Sequence, residues 1–284
     1  MINATELYNH MEADFRLSAC SDDWSEIEPS GYITSQYLKR YMGLVTDNTD
    51  TISCAYTAVF PSPDVINKII RDDRREAMLF VHHPMHWDIT KTPVFTSIPL
   101  DTLEELRTRK ISIYNLHTPL DAIGPYGTTV NLANALGITK TDEFCQYHGV
   151  LVGVIGTTDC GTVAELIARF ERAVGHEVTL YPYGDNNISV HKVALVAGGG
   201  NDADVYPYLH ERGINTFITG VASMRTGHQP SVDAHNSAKE NGVNILAGSH
   251  YSTEKFACIK MVEYFSKLGI QGEFVASRPC MHDI

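Results

Sequence analysis

Short apolar runs rich in β-branched residues recur along the whole chain, at Ile52–Phe60, Ala77–Val81, Ile111–Leu116, Val150–Ile155, Val193–Ala197, Thr216–Thr219 and Val243–Ala247. Runs of this length between turn residues read as buried strands. Segments with helical spacing lie between them. One opens at Pro63 and Asp64 and puts Val65, Ile66, Ile69 and Ile70 on one face. A second opens at Thr162, carries Val163, Leu166, Ile167 and Phe170, and stops at Gly175. A third is expected over Thr253–Leu268, with Phe256, Ile259, Val262 or Met261, and Phe265 turned inward and Gly269 ending it. Strand alternating with helix predicts an α/β fold. Two similar halves are expected, layered α-β-α on mostly parallel or mixed sheets, with residues 1–140 in the first and 141–284 in the second.

Three polar clusters follow predicted strands, where open α/β sheets place their ligands. The first is His82-His83-Pro84-Met85-His86-Trp87-Asp88 after AMLFV; the second is His117-Thr118-Pro119-Leu120-Asp121 after ISIYNL. The third, His250-Tyr251-Ser252-Thr253-Glu254, leads into the last helix. Adjacent histidines leaving a strand point to different sides, and His250 and Glu254 are four apart. Imidazoles mixed with carboxylates form the donor set that zinc, iron, manganese, cobalt or nickel accept. Each cluster has a plainer reading. A histidine pair is often a surface feature, His117 can be a hydrogen-bonded turn residue, Asp121 a helix cap, and Glu254 a partner of the helix dipole. Three clusters at one topological position are poorly explained that way.

Composition narrows the partners. Lys plus Arg is 22 against 34 Asp plus Glu, a formal net charge of −12. An acidic chain gains nothing from counterion release on a phosphate backbone, so nucleic acid is not an expected partner. The six cysteines, Cys20, Cys54, Cys145, Cys160, Cys258 and Cys280, form no C-x-x-C pair and read as reduced structural thiols. Glu6, Glu12 and Asp14 interrupt any apolar leader, and no run reaches the roughly 20 apolar residues of a membrane span. A cytoplasmic protein with no membrane partner is expected.

Taken together, HHP after one strand, H-T-x-L-D after a later one and H-Y-x-T-E near the C-terminus resemble the Nif-three-like dinuclear metal centre family. Some of its members are described as type 2 GTP cyclohydrolase I homologues. The resemblance runs from about residue 40 to the C-terminus. It implies two divalent transition-metal ions per chain, in the cleft between the halves, with His82, His83, Asp121, His250 and Glu254 as ligands. It also implies that Glu254 bridges the ions, that His117 sits at the pocket edge, either supporting the ligands from behind or transferring a proton, and that the chain forms a homo-oligomer, a hexamer in the family.

Some positions depart from the family pattern. Val221 follows Thr219-Gly220 where a carboxylate is common, Pro119 stands for an asparagine, and Ser249 for the glycine before the histidine. His86 adds a ligand, a pocket donor or only a packed imidazole. Gly198, Gly200 and Ala203 fit a G-x-G-x-x-A turn, but the acidic residue that a dinucleotide site wants on the next strand is absent, so they read as a tight strand-to-helix turn. No Walker loop, H-E-x-x-H or G-x-S-x-G occurs. The expectation is a metal-dependent hydrolase with a nucleotide, phosphorylated or heterocyclic small-molecule substrate. The alternative is a non-catalytic metal-binding, metal-trafficking or metal-dependent interaction protein.

Overall fold

The structure is a computed structural model and describes residues 1–224 and 229–284. The chain divides into two compact units. The first comprises Met1–Ala122, His148–Val150 and Ala257–Ser277; the second comprises Ile123–Tyr147, Leu151–Phe256 and Arg278–Ile284. This differs from the single divide expected at 140/141. The reason lies in the sheet: Gln271–Phe274, near the C-terminus, pairs in parallel with Cys54–Ala58 and so belongs to the first unit.

The first unit is built on a five-stranded sheet ordered Gln271–Phe274, Cys54–Ala58, Ala77–Val81, Ile111–Asn115 and Gly43–Thr46. All pairs are parallel except the last. Every residue of Ala77–Val81 and Ile111–Asn115 is buried. That is why Ala77–Val81 reads as an unbroken apolar run and Ile111–Asn115 as a mostly apolar one: a parallel sheet is covered on both faces. The helix Pro63–Arg71 covers one face through Val65, Ile66 and Ile69, and its start is fixed by the Ser62 hydroxyl, which accepts the Val65 N–H. On the other face Phe80 meets Phe265 edge-on at 5.9 Å, and Tyr8 stacks on Tyr114.

The second unit carries a six-stranded mixed sheet ordered Thr179–Tyr181, Asn244–Ala247, Thr216–Thr219, Lys192–Val196, Val150–Thr157 and Thr139–Tyr147. Its central pairs are parallel, whereas Thr179–Tyr181 and Val150–Thr157 join antiparallel. The helix Val163–Val174 packs Leu166 and Phe170 with Val154, Leu195, Ile218 and Leu246. A capping box between Thr162 and Glu165 starts it, and Gly175, at φ 87°, ends it.

The last helix corrects two expectations. It runs His250–Lys267 and so starts earlier than Thr253. Ile259 is 43% exposed, whereas Ala257, Cys258, Met261, Tyr264 and Phe265 around it are buried. Cys258, Met261 and Phe265 define the stripe at i, i+3 and i+7, which leaves Ile259 on the solvent side. Among the described residues no helix is long and apolar enough to cross a membrane, and all six cysteines are free thiols.

Candidate metal centre

The first unit gathers four of the expected residues. The strand Ala77–Val81 ends just before His82, and the chain leaves it with the His82 and His83 N–H groups still donating to the carbonyls of Ala58 and Val59. The neighbouring strand Ile111–Asn115 leads through Leu116 to His117 and the short helix Thr118–Asp121, which Pro119 opens at a position where its missing N–H loses nothing. The Asn115 side chain donates to the His82 carbonyl and accepts from the Tyr37 hydroxyl, which braces the exit of both strands. Ligand atoms of His82, His83 and His117 lie within 4.8 Å of one another, and all three residues are buried.

Hydrogen bonding fixes how two of these rings are presented. His82 Nδ1 lies 2.9 Å from the Leu116 carbonyl oxygen. A carbonyl only accepts, so Nδ1 carries a proton, and in the neutral ring Nε2 then keeps its lone pair. That Nε2 faces Asp121 Oδ1 at 3.4 Å. His117 Nδ1 lies 3.1 Å from both carboxylate oxygens of Asp22, while its Nε2 is 3.6 Å from Asp121 Oδ2. Burial alone would raise the Asp22 carboxyl; the hydrogen bond and charge of His117, with the N–H groups of Thr118 and Asp23, hold it below the ordinary aspartate value. The Nε2 atoms of His82 and His117 thus both face the Asp121 carboxylate, and a carbonyl or carboxylate behind Nδ1 is what histidines at metal sites typically show. Around them stands an aromatic wall. His83 stacks on Phe60 at 4.6 Å, and Trp24 sets its edge against His83 and His117.

The second unit brings His250 and Glu254 together. They are i and i+4 on the last helix, both buried, with His250 Nε2 3.2 Å from Glu254 Oε1. Ser249 takes the left-handed conformation, φ 65°, which a glycine adopts without a Cβ penalty. Its Oγ accepts the Ser252 N–H at 3.2 Å, while the Asp283 carboxylate accepts the His250 N–H at 2.9 Å. Thr253 Oγ1 accepts the Gly198 N–H and lies 3.0 Å from the carbonyls of Ser249 and His250, to which it can donate. Gly198 itself, at φ 68°, is the floor under the carboxylate. A Cβ there would sit 1.9 Å from Glu254 Oε1 and 3.1 Å from His250 Nε2. The donor set and this glycine cradle fit a cation.

His86 lies on the two-residue strand His86–Trp87, paired with Phe95–Thr96, and joins none of the metal-binding groups found among the described residues. Its half-burial pushes its pKa below the ordinary value. Val221 is buried, its N–H donating to the Gly198 carbonyl, so the departure there is an apolar wall residue. Sequence reasoning missed Asp22, Trp24 and Asp283. Asp22 and Trp24 sit in a loop, SDDWSE, that has neither periodicity nor motif, and Asp283 acts through a backbone contact that no side-chain pattern announces.

Residues 35–278 match the Duf34/NIF3 (NGG1p interacting factor 3) family. A relative from Archaeoglobus fulgidus, described as a GTP cyclohydrolase 1 type 2 homolog, is 32% identical over 202 residues, 70% of this chain and 74% of its own. One from Pyrococcus horikoshii with the same description is 28% identical over 244 residues, 84% of this chain and 89% of its own. Among solved structures, a protein described as ybgI, of unknown function, superposes with a TM-score of 0.75 at 23% identity, covering 98% of this chain and 100% of that one. TTHA1606 from Thermus thermophilus does so with a TM-score of 0.71 at 21% identity, covering 98% and 99%. At these identities the structural likeness speaks for the fold.

Proposed function

The chain belongs to the Duf34/NIF3 family, and from that premise we propose that it binds two divalent transition-metal ions with His82, His83, Asp121, His250 and Glu254 and uses them in hydrolysis. The observation that carries the reading is the presentation of His82: its Nδ1–H is committed to the Leu116 carbonyl, and its Nε2 lone pair is aimed at a carboxylate. Bound ions of this kind supply Lewis acidity, which makes water a nucleophile near neutral pH and polarises the substrate. The chain's own groups do the rest. Asp121 brings negative charge beside His82 and His117 in the first unit and Glu254 beside His250 in the second, the imidazoles offer ring nitrogens, and Trp24, Phe60 and Phe95 pack against the His83 ring. His117, held at Nδ1 by Asp22, is the group placed to take or give a proton through Nε2. The substrate is a nucleotide, another phosphorylated metabolite or a heterocycle. The protein works in the cytoplasm as a homo-oligomer, a hexamer by resemblance.

A second reading is supported by Val221: an apolar side chain where a pocket carboxylate is common favours metal binding or transfer without turnover. Elemental analysis of protein purified without added metal tests the shared premise, with about two ions per chain expected from the family resemblance. A His82→Ala/His83→Ala double variant should come out nearly empty. If it keeps as much metal as the parent, both readings fall. Metal-dependent turnover on a panel of nucleotides and phosphoesters separates the two; its absence in metal-loaded protein favours the binding role.

A further inference from the structure

We infer that Asp22 is a positioning residue: it fixes the tautomer and orientation of His117, so that Nε2 and not Nδ1 is presented to Asp121 and the neighbouring imidazoles. The inference rests on the metal-binding reading for its purpose, but its geometry stands within the first unit alone. Two carboxylates compete for the single proton of a neutral His117 ring. Asp22 lies 3.1 Å from Nδ1 through both oxygens, whereas Asp121 lies 3.6 Å from Nε2, beyond good hydrogen-bond length. The nearer carboxylate holds the proton. Without it, the proton would move to Nε2 and donate to Asp121, and Nε2 could no longer accept a proton from a substrate or water.

Asp22 is itself held. Its side chain is 1% exposed, and Oδ2 also accepts the Thr118 N–H at 3.1 Å, so one carboxylate grips the ring and the backbone that follows it. Trp24, two residues along the same loop, sets its edge on the His117 ring with centroids 4.9 Å apart and resists ring rotation. A loop from the N-terminal region, outside the motifs that mark the family, therefore determines what His117 can do.

The test reads the tautomer directly and needs no metal and no turnover. Metal-free protein labelled with ¹⁵N-histidine is examined at pH 8 by long-range ¹H–¹⁵N correlation, which distinguishes Nδ1–H from Nε2–H rings. Wild type should show His117 as the Nδ1–H tautomer. Asp22→Asn keeps the shape, but both Asp22 oxygens accept a backbone N–H, Oδ1 from Asp23 and Oδ2 from Thr118, and both lie 3.1 Å from Nδ1, so whichever N–H keeps the amide oxygen, the NH₂ takes the place of the other oxygen beside Nδ1. This variant should invert His117 to Nε2–H, the effect expected when an amide replaces the carboxylate behind a histidine. Asp22→Ala should give Nε2–H or a mixture. Should Asp22→Ala fail to fold, the isosteric variant still gives the answer. An unchanged Nδ1–H tautomer in a folded variant, or an Nε2–H ring in wild type, overturns the inference. Metal content, measured separately on wild type, decides the functional reading; a metal-free wild type with the expected tautomers would sink that reading and leave this one standing.

Discussion

At the scale of single residues, two positions make measurable claims. Gly198 lies under Glu254, so Gly198→Ala forces the carboxylate or the turn to move, since the Cβ would come within 2.9 Å of Glu254 Cδ as well as its oxygen. A loss of about 1–3 kcal/mol in denaturant unfolding is expected, together with reduced metal content. Gly149 is the control: at φ 86° it has nothing within 4 Å of its Cβ, so Gly149→Ala should show backbone strain alone and full metal content. Equal metal content in the two variants would remove Gly198 from the site. The second position is His235. Its Nε2–H donates to the Ala222 carbonyl at 2.6 Å, its Nδ1 accepts from the Tyr183 hydroxyl at 2.9 Å, and burial lowers its pKa against the raising effect of the Ala222 bond. A depressed folded pKa means that the unfolded chain binds the extra proton first. Stability from this residue is therefore full above the unfolded value of about 6.5 and is lost as pH falls through the folded one. Thermal unfolding from pH 7.5 to 5 should show wild type losing ground to His235→Gln, which keeps a donor and an acceptor but does not titrate. Parallel curves would refute the assignment.

At the scale of elements, the start of the last helix decides whether His250 and Glu254 meet. A start at Ser252 would leave His250 outside the helix; a start at His250 puts both residues on one face one turn apart. Three groups fix that start: left-handed Ser249, its hydroxyl on the Ser252 N–H, and the buried Asp283 carboxylate on the His250 N–H. An acceptor at a helix N-terminus satisfies an N–H that has no partner within the helix, and its negative charge suits the dipole. Asp283→Ala should therefore destabilise by about 1–3 kcal/mol, the scale for losing a charged acceptor from a buried donor, whereas Asp283→Asn should lose less. Urea midpoints read the difference. If Asp283→Ala matches wild type, the helix start is set by Ser249 alone. The same scale explains the unread strands. Thr139–Tyr147 and Gln271–Phe274, written TKTDEFCQY and QGEF, are edge strands with mostly exposed or half-buried residues. Their sequences lack the apolar run that burial on two faces imposes on Ala77–Val81.

At the scale of the whole molecule, the proposed function predicts a pH limit. A proton on each ligand imidazole competes with the metal, so bound metal per chain should fall between pH 8 and 4.5, as dialysis and elemental analysis would show. A metal content unchanged over that range would argue that histidines hold little of it. The residue types proposed as ligands stand out in the sequence because metal chemistry demands particular side chains, and strand ends place them at fixed offsets: HHP and H-T-P-L-D leave adjacent parallel strands. The α/β class was legible for a similar reason, since central strands and amphipathic helices must show their burial in their composition. Only the tertiary structure decided that the Leu116 carbonyl faces His82 Nδ1, that Asp22, 95 residues before His117 in sequence, lies against that ring, and that Gly198 makes room for Glu254. These contacts depend on distance and hydrogen-bond direction between segments remote along the chain. A one-dimensional pattern records each residue's type and its local period, and neither quantity carries that information.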